Sequence, residues 1–111
     1  MNVDIYRVSR AGAFAKDFGL AAQIQRAAVS VMANVAEGFE RGSLAEFNHF
    51  LSIAKGSCAE VRSHLYAALD VGHLDQETFM QLMAQAEEVA GLLRALRRSV
   101  RQRAAQNRTG S

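Results

Sequence analysis

Residues Ser43 to Gly72 read SLAEFNHFLSIAKGSCAEVRSHLYAALDVG, and this stretch decides the fold. Phe47, Leu51, Ala54, Cys58, Val61, Leu65 and Ala68 recur at alternating steps of four and three, the period of a helix with one face packed against neighbours. The Ser43-x-x-Glu46 pattern marks its start: the Ser hydroxyl can accept from the Glu46 amide while the Glu46 carboxylate reaches back to the Ser43 amide. Gly72 supplies the left-handed position just past the last turn, which a residue with a Cβ resists. The spacing predicts one helix from residue 43 or 44 to about 71. One apolar face needs partners, and the flanking segments have to provide them.

Toward the C-terminus, Asp75 is a good N-cap, and Leu74 before it can staple onto Phe79. Phe79, Leu82, Ala86, Val89, Leu93, Leu96 and Val100 repeat the seam, predicting a helix over about 76–103. Gly91 interrupts it at a cost of roughly 1 kcal/mol relative to Ala unless a backbone packs closely there. Residues 104–111 have no seam, and a frayed or disordered tail is expected. Toward the N-terminus, Leu20, Ile24, Ala27, Val31, Asn34 and Gly38 form one stripe, with Ala28, Met32, Val35 and Phe39 beside it. That arc is wide enough to touch neighbours on both sides. Gly42 ends this helix and Ser43 caps the next, so the two must form an antiparallel hairpin. Val3, Tyr6, Arg10 and Ala13 leave room for only a short first helix, followed by a loop over residues 14–19 with Asp17 or Gly19 as the next cap. The fold class expected is all-α, an antiparallel up-and-down four-helix bundle with a short first helix, over residues 1–103.

Composition fits a single domain that acts by binding. The chain has 111 residues, half of them apolar, with no Pro and a single Cys. Nothing approaches the eighteen or so apolar residues of a membrane span, and the N-terminus has no signal-peptide pattern, so a soluble, cytoplasmic protein is expected. A lone Cys58 allows neither an internal disulfide nor a thiolate metal cluster. The net charge of +2 hides an asymmetry. Six of the 13 basic residues lie from Arg94 onward, leaving seven against all 11 acids in residues 1–93.

Among residue types that carry chemistry, Glu46-x-x-His49 resembles half of a di-iron or di-manganese motif, but a second copy and two further inward Glu are missing. Glu60 and His64, one turn apart, suit a polar contact between helices better than acid–base work, since no nucleophile or oxyanion site accompanies them. Cys58 on the seam reads as a small hydrophobe. Asn34 on a seam needs a partner, and an interhelical hydrogen bond that fixes register is expected. Arg94, Arg97, Arg98 and Arg101 fall at i, i+3, i+4 and i+7 and share one helix face. Such a stripe either complements the helix C-terminus or contacts nucleic-acid phosphates, and no aromatic residues interleave it for base stacking.

The run Gln23-Ile-Gln-Arg26-Ala27-Ala28-Val29-Ser30-Val31-Met-Ala33-Asn34-Val35-Ala36-Glu37-Gly38-Phe39 resembles the signature of the four-helix proteins related to the 23S rRNA intervening-sequence proteins. The similarity continues through Arg41-Gly42-Ser43, Glu46-Phe47, Phe50-Leu51, Ile53-Ala54-Lys55-Gly56-Ser57 and Glu60, covering roughly residues 6–100. The resemblance implies a homo-oligomer, a ring of five, and no catalytic residues or cofactor. It includes the accessory variability protein of diversity-generating retroelements, which implies contact with reverse transcriptase and nucleic acid through basic surfaces. It further implies structural roles for Arg26, paired with Glu37 or Glu60, for Asn34 in register, and for Gly56-Ser57 in close helix approach. Members carry more of the first helix than this chain does, so part of the wide apolar arc is expected to lie bare, and association is one way to cover it. The functional expectation is a non-enzymatic, self-associating RNA or ribonucleoprotein interaction module. A protein-only scaffold is the alternative, and a metal-binding ferritin-like bundle comes third.

Overall fold

The computed structural model describes residues 1–110, with side chains through residue 108. It contains five helices and, among the described residues, no strand: α1 (Asn2–Ser9), α2 (Gly12–Lys16), α3 (Phe18–Glu40), α4 (Leu44–Asp70) and α5 (Gln76–Gly110). The turn signals act where the chemistry places them. Gly42 and Gly72 adopt φ of 81° and 82°, reversing the chain after α3 and α4. Ser43 Oγ accepts from the Glu46 amide at 3.1 Å, and Asp75 Oδ1 accepts from the Thr78 amide at 2.7 Å. The other half of the expected capping box is replaced: the Glu46 carboxylate faces Arg41 at 4.0 Å.

Antiparallel packing of the long helices is fixed by two contacts at different levels of each pair. Between α3 and α4, Ser30 meets Ser57 (2.8 Å between hydroxyls), and the Gly38 backbone lies against Phe47 and Phe50. Between α4 and α5, the Cys58 thiol donates to the Ala86 carbonyl at 3.2 Å, and Tyr66 packs on Phe79 with ring centroids 5.0 Å apart. The α4 seam is buried from Leu51 to Ala68 as its period requires, with Phe47 half-buried at its end. On α5, Phe79, Leu82, Ala86, Leu93 and Val100 are buried, and Met83 and Ala90 join them. Leu96, expected on that seam, is instead partly exposed.

The N-terminal region differs most from expectation. The segment over 14–19 is not a loop: α2 runs to Lys16 and α3 begins at Phe18, so that Asp17 alone separates them and caps α3 by accepting from the Leu20 amide at 3.2 Å. Gly12, with φ 57°, breaks the first helix in two. Val3 and Ala13 face solvent, while Ile5, Ser9 and Phe14 are buried in their place. Ser9 accepts from Gln25 of α3, and Asp4 accepts from Gln85 of α5, both at 2.8 Å, so α1 lies against both helices. Counted antiparallel along α3 from Ser9 and Gln25, α1 ends near residue 33. Met32 stands exposed at that level, and beyond it no part of α1 lies beside α3 or α5, where Phe39, Leu92 and Leu96 are exposed. At the other end, α5 continues helical through Gly110, past the boundary expected near Arg103. Val100 is the last buried residue among those whose side chains are described, so the seam ends where expected although the helix continues. Ser111 lies outside the described residues.

Candidate nucleic-acid interface

After Glu88 the chain contains no acid, so the last two-thirds of α5 carries only positive charge. Arg94, Arg98 and Arg101 are exposed, and Arg97 is half-buried, its Nε–H donating to Asn48 Oδ1 of α4 at 3.3 Å. Among the described residues no ion pair engages Arg94, Arg97, Arg98, Arg101 or Arg103. Arg101 lines a shallow cleft of ≈ 340 Å³ between the start of α4 and the end of α5, with Ala45, Asn48 and Arg108. Unpaired guanidinium groups held on a rigid helix suit phosphate oxygens, which accept from their planar donor fork.

The polar residues expected to join helices behave differently. Asn34 bonds within its own helix, donating to the Ser30 carbonyl (2.8 Å) and hydroxyl (2.9 Å). It reaches α4 only through Ser30, whose hydroxyl meets that of Ser57. An extended amide one turn from a serine finds that partner before any on the next helix. Glu37 pairs with Arg41 at 2.9 Å, not with Arg26. Arg26 and Glu60 face the same cleft of ≈ 460 Å³ between α3 and α4, above the Ser30–Ser57 pair, without an ion pair between them. His64 lines that cleft too, and no hydrogen bond joins it to Glu60. The close approach assigned to Gly56-Ser57 lies elsewhere: a Cβ on Gly56 would meet nothing within 4 Å, whereas one on Gly38 would sit 2.7 Å from Phe50 Cβ.

One polar cluster has no counterpart in the sequence reading. His73, in the turn before α5, donates from Nε2 to Asp17 Oδ2 at 3.0 Å and stacks on Phe14 at 5.3 Å between ring centroids. This hydrogen bond, reinforced by the Leu20 amide, holds the Asp17 carboxyl below the usual carboxylate range. The partners lie 56 positions apart, and no local pattern announces them. Burial pushes the Cys58 thiol up, against the opposing pull of Arg62 and Arg94. His49 is exposed beside Glu46, and among the described residues no group of three His, Cys, Asp or Glu side chains is arranged to hold a metal ion. No helix among them is long and apolar enough to cross a membrane.

The sequence profile of the 23S rRNA-intervening sequence protein family matches residues 1–95. Arg94 falls within the matched portion, and Arg97, Arg98 and Arg101 fall beyond it. Among solved structures, a protein of unknown function from the S23 ribosomal protein family of Bacteroides thetaiotaomicron is similar, with a TM-score of 0.76 and 24% identity over 86% of each chain. At that identity the likeness speaks for the fold. No functionally curated protein matches the chain.

Proposed function

This chain belongs to the 23S rRNA-intervening sequence protein family, and from that premise we propose that it is a non-catalytic, self-associating nucleic-acid interaction module, with RNA as the leading partner. In this reading α1 and α2 together stand as the first member of an up-and-down four-helix bundle. The observation that carries the nucleic-acid part is the acid-free run of α5, whose Arg94, Arg97, Arg98 and Arg101 have no carboxylate partner among the described residues. Helix C-termini favour cations, but that effect fades within the last turn, and Arg94 lies four turns from Gly110. Dipole complementarity therefore accounts for little of the stripe.

Self-association is supported by the bare end of the bundle, where Phe39 is 73% and Leu92 65% exposed beside Met32 and Leu96. Clustered apolar side chains of this size on a small domain mark contact surfaces. A ring of five is the stoichiometry the family resemblance implies, and a cytoplasmic RNA is the partner class it favours. The test is solution mass by light scattering at low and high salt, with and without structured RNA. A salt-resistant oligomer that gains mass with RNA at low salt and loses that gain at high salt supports the reading. An oligomer indifferent to RNA leaves the protein-only scaffold, and a monomer indifferent to RNA removes both halves.

A further inference from the structure

We infer that the arginine face of α5 is one wall of a groove whose other wall is α4, that Lys55 and Arg62 complete it, and that the groove holds one sugar-phosphate strand of a nucleic acid. This rests on the nucleic-acid reading above and adds two residues and a path. The register comes from three contacts: Asn48 with Arg97, Cys58 with Ala86, and Tyr66 with Phe79. Each pair of numbers adds to 144 or 145, so α4 and α5 run antiparallel in constant register. Lys55 is therefore level with Val89 and Ala90, and Arg62 with Leu82 and Met83. The cations follow one another along the groove in the order Arg62, Lys55, Arg94, Arg97, Arg101.

They also share its flank. Seven residues bring a helix nearly back to the same face, so Asn48, Lys55 and Arg62 stand in one row on α4, and Glu87, Arg94 and Arg101 in one row on α5, the Glu87 carboxylate entering between the levels of Arg62 and Lys55. The Asn48–Arg97 bond shows that these flanks meet. Both Arg62 and Arg94 act on the Cys58 thiol, which lies between their levels.

Three features point to an anionic occupant. Arg62 is half-buried and its Nε–H is buried without a partner, a state that an arriving acceptor relieves. Lys55 is half-buried as well, and no ion pair engages either residue among the described residues. Gly91 comes one residue past the level of Lys55, toward Arg94, and a Cβ there would meet only the Arg94 guanidinium at 3.6 Å, so this glycine leaves clearance for a backbone passing over it. Small side chains continue that clearance on the α4 wall at Ser52 and Ala59, both exposed. From the level of Arg62 to that of Arg101 the row extends about 27 Å at 1.5 Å per residue. At 3.4 Å of axis per phosphate of one strand, that length spans about eight phosphates. No row of aromatic rings lines it, so recognition is of the backbone and independent of sequence.

The test is fluorescence anisotropy with a labelled 20-nucleotide oligouridine between 50 and 200 mM salt, on the full chain. Lys55→Gln with Arg62→Gln is compared with the Gln variant of Arg94, Arg97, Arg98 and Arg101, and with Arg26→Gln, whose side chain lies on α3 outside the groove. Thermal melts establish that each variant folds, and Lys55→Gln alone carries the comparison if Arg62→Gln does not. The Lys55/Arg62 variant is expected to bind about tenfold more weakly at the lowest salt, near threefold per cation. Its slope of log affinity against log salt should be shallower by about 1.4, at 0.7 per single-strand phosphate. Arg26→Gln should change neither. If the α5 variant loses binding while the Lys55/Arg62 variant keeps wild-type affinity and slope, the groove is wrong and the α5 reading stands. If Arg26→Gln weakens binding as much, only overall charge is being measured and the groove is overturned. Oligouridine bound by none of these proteins, wild type included, overturns both.

Discussion

Replacing Gly38 by Ala tests the packing of α3 on α4 at its tightest point. A Cβ at residue 38 would sit 2.7 Å from Phe50 Cβ, 3.1 Å from Phe47 Cδ1 and 3.4 Å from Phe47 Cα. Carbon atoms in contact prefer about 3.5–4.0 Å. The helices must therefore part by several tenths of an ångström, and since Phe50 Cβ and Phe47 Cα move only with the α4 backbone, no rotamer change relieves the clash. Overpacking of this kind costs about 1–3 kcal/mol. Higher helix propensity returns about 0.8–1 kcal/mol, leaving a net loss of about 1 kcal/mol. Gly56→Ala is the matched control, because a Cβ there meets nothing within 4 Å and the residue is exposed within α4. It should gain about 1 kcal/mol from propensity alone. The two variants should then differ by about 2 kcal/mol, or about 8 °C in Tm for a chain of this size. Urea unfolding followed by circular dichroism reads the difference, at one fixed protein concentration because association shifts apparent stability. A Gly38→Ala protein as stable as wild type, or one that moves with Gly56→Ala, would refute the account of the α3–α4 contact.

Leu51, fully buried on α4, should cost about 2–5 kcal/mol on truncation to Ala, and a loss under about 0.5 kcal/mol in urea melts would contradict the seam. Cys58 is buried with its thiol pushed up by desolvation, so a disulfide reagent at pH 8 should label it slowly in the native chain and fully after urea unfolding; prompt native labelling would mean the α4–α5 contact opens readily. The carboxyls of Asp17, Asp4 and Asp75 are each held low by a hydrogen bond, from His73, Gln85 and Thr78 respectively. A folded-state depression contributes stability above the ordinary carboxylate range, which is lost as pH falls through the folded values. Urea midpoints should thus change little from Asp titration between pH 7 and 5 and fall below about pH 4, less steeply for Asp17→Asn. Equal acid slopes for wild type and Asp17→Asn would show that the Asp17–His73 bond carries no linkage.

Local grammar made most of the fold legible. The α4 seam, its Ser43 cap, the Gly42 and Gly72 reversals and the Asp75 cap each involve residues a few positions apart, and each stands where the spacing placed it. The first helix is not legible this way because its burial pattern is tertiary. Ser9 is buried where it meets Gln25 of α3, Phe14 where it stacks on His73, and Ile5 joins the same core, and two of the three hide among polar neighbours in a short segment. The glycines show the same limit. Gly38 and Gly56 both interrupt long helices, and only the pairing of α3 with α4 reveals that one meets Phe50 while the other meets open space. The arginine stripe was legible as a face of α5. Its opposite wall was not, because Lys55 and Arg62 are single cations in an otherwise mixed sequence and acquire their neighbours only through the α4–α5 register.

That register also separates the two surfaces assigned here. On α5, Leu92 and Leu96 belong to the flank turned toward α3 and the bare end of the bundle, since Leu96 lines the cleft that includes Gly38 and Phe39. Arg97 and Arg101 belong to the opposite flank, turned toward Asn48 and Ala45 of α4. Covering the apolar flank with another copy therefore leaves the basic groove open. Association would then multiply grooves rather than bury them, and a strand long enough to reach a second copy would bind it at the high effective concentration set by the assembly. On that proposal, weak contact per groove, as expected from half-exposed cations without stacking rings, would become sufficient through repetition. On the proposed reading, the bare apolar end and the arginines without ion pairs serve one design, in which self-association would supply the affinity that one groove alone would lack.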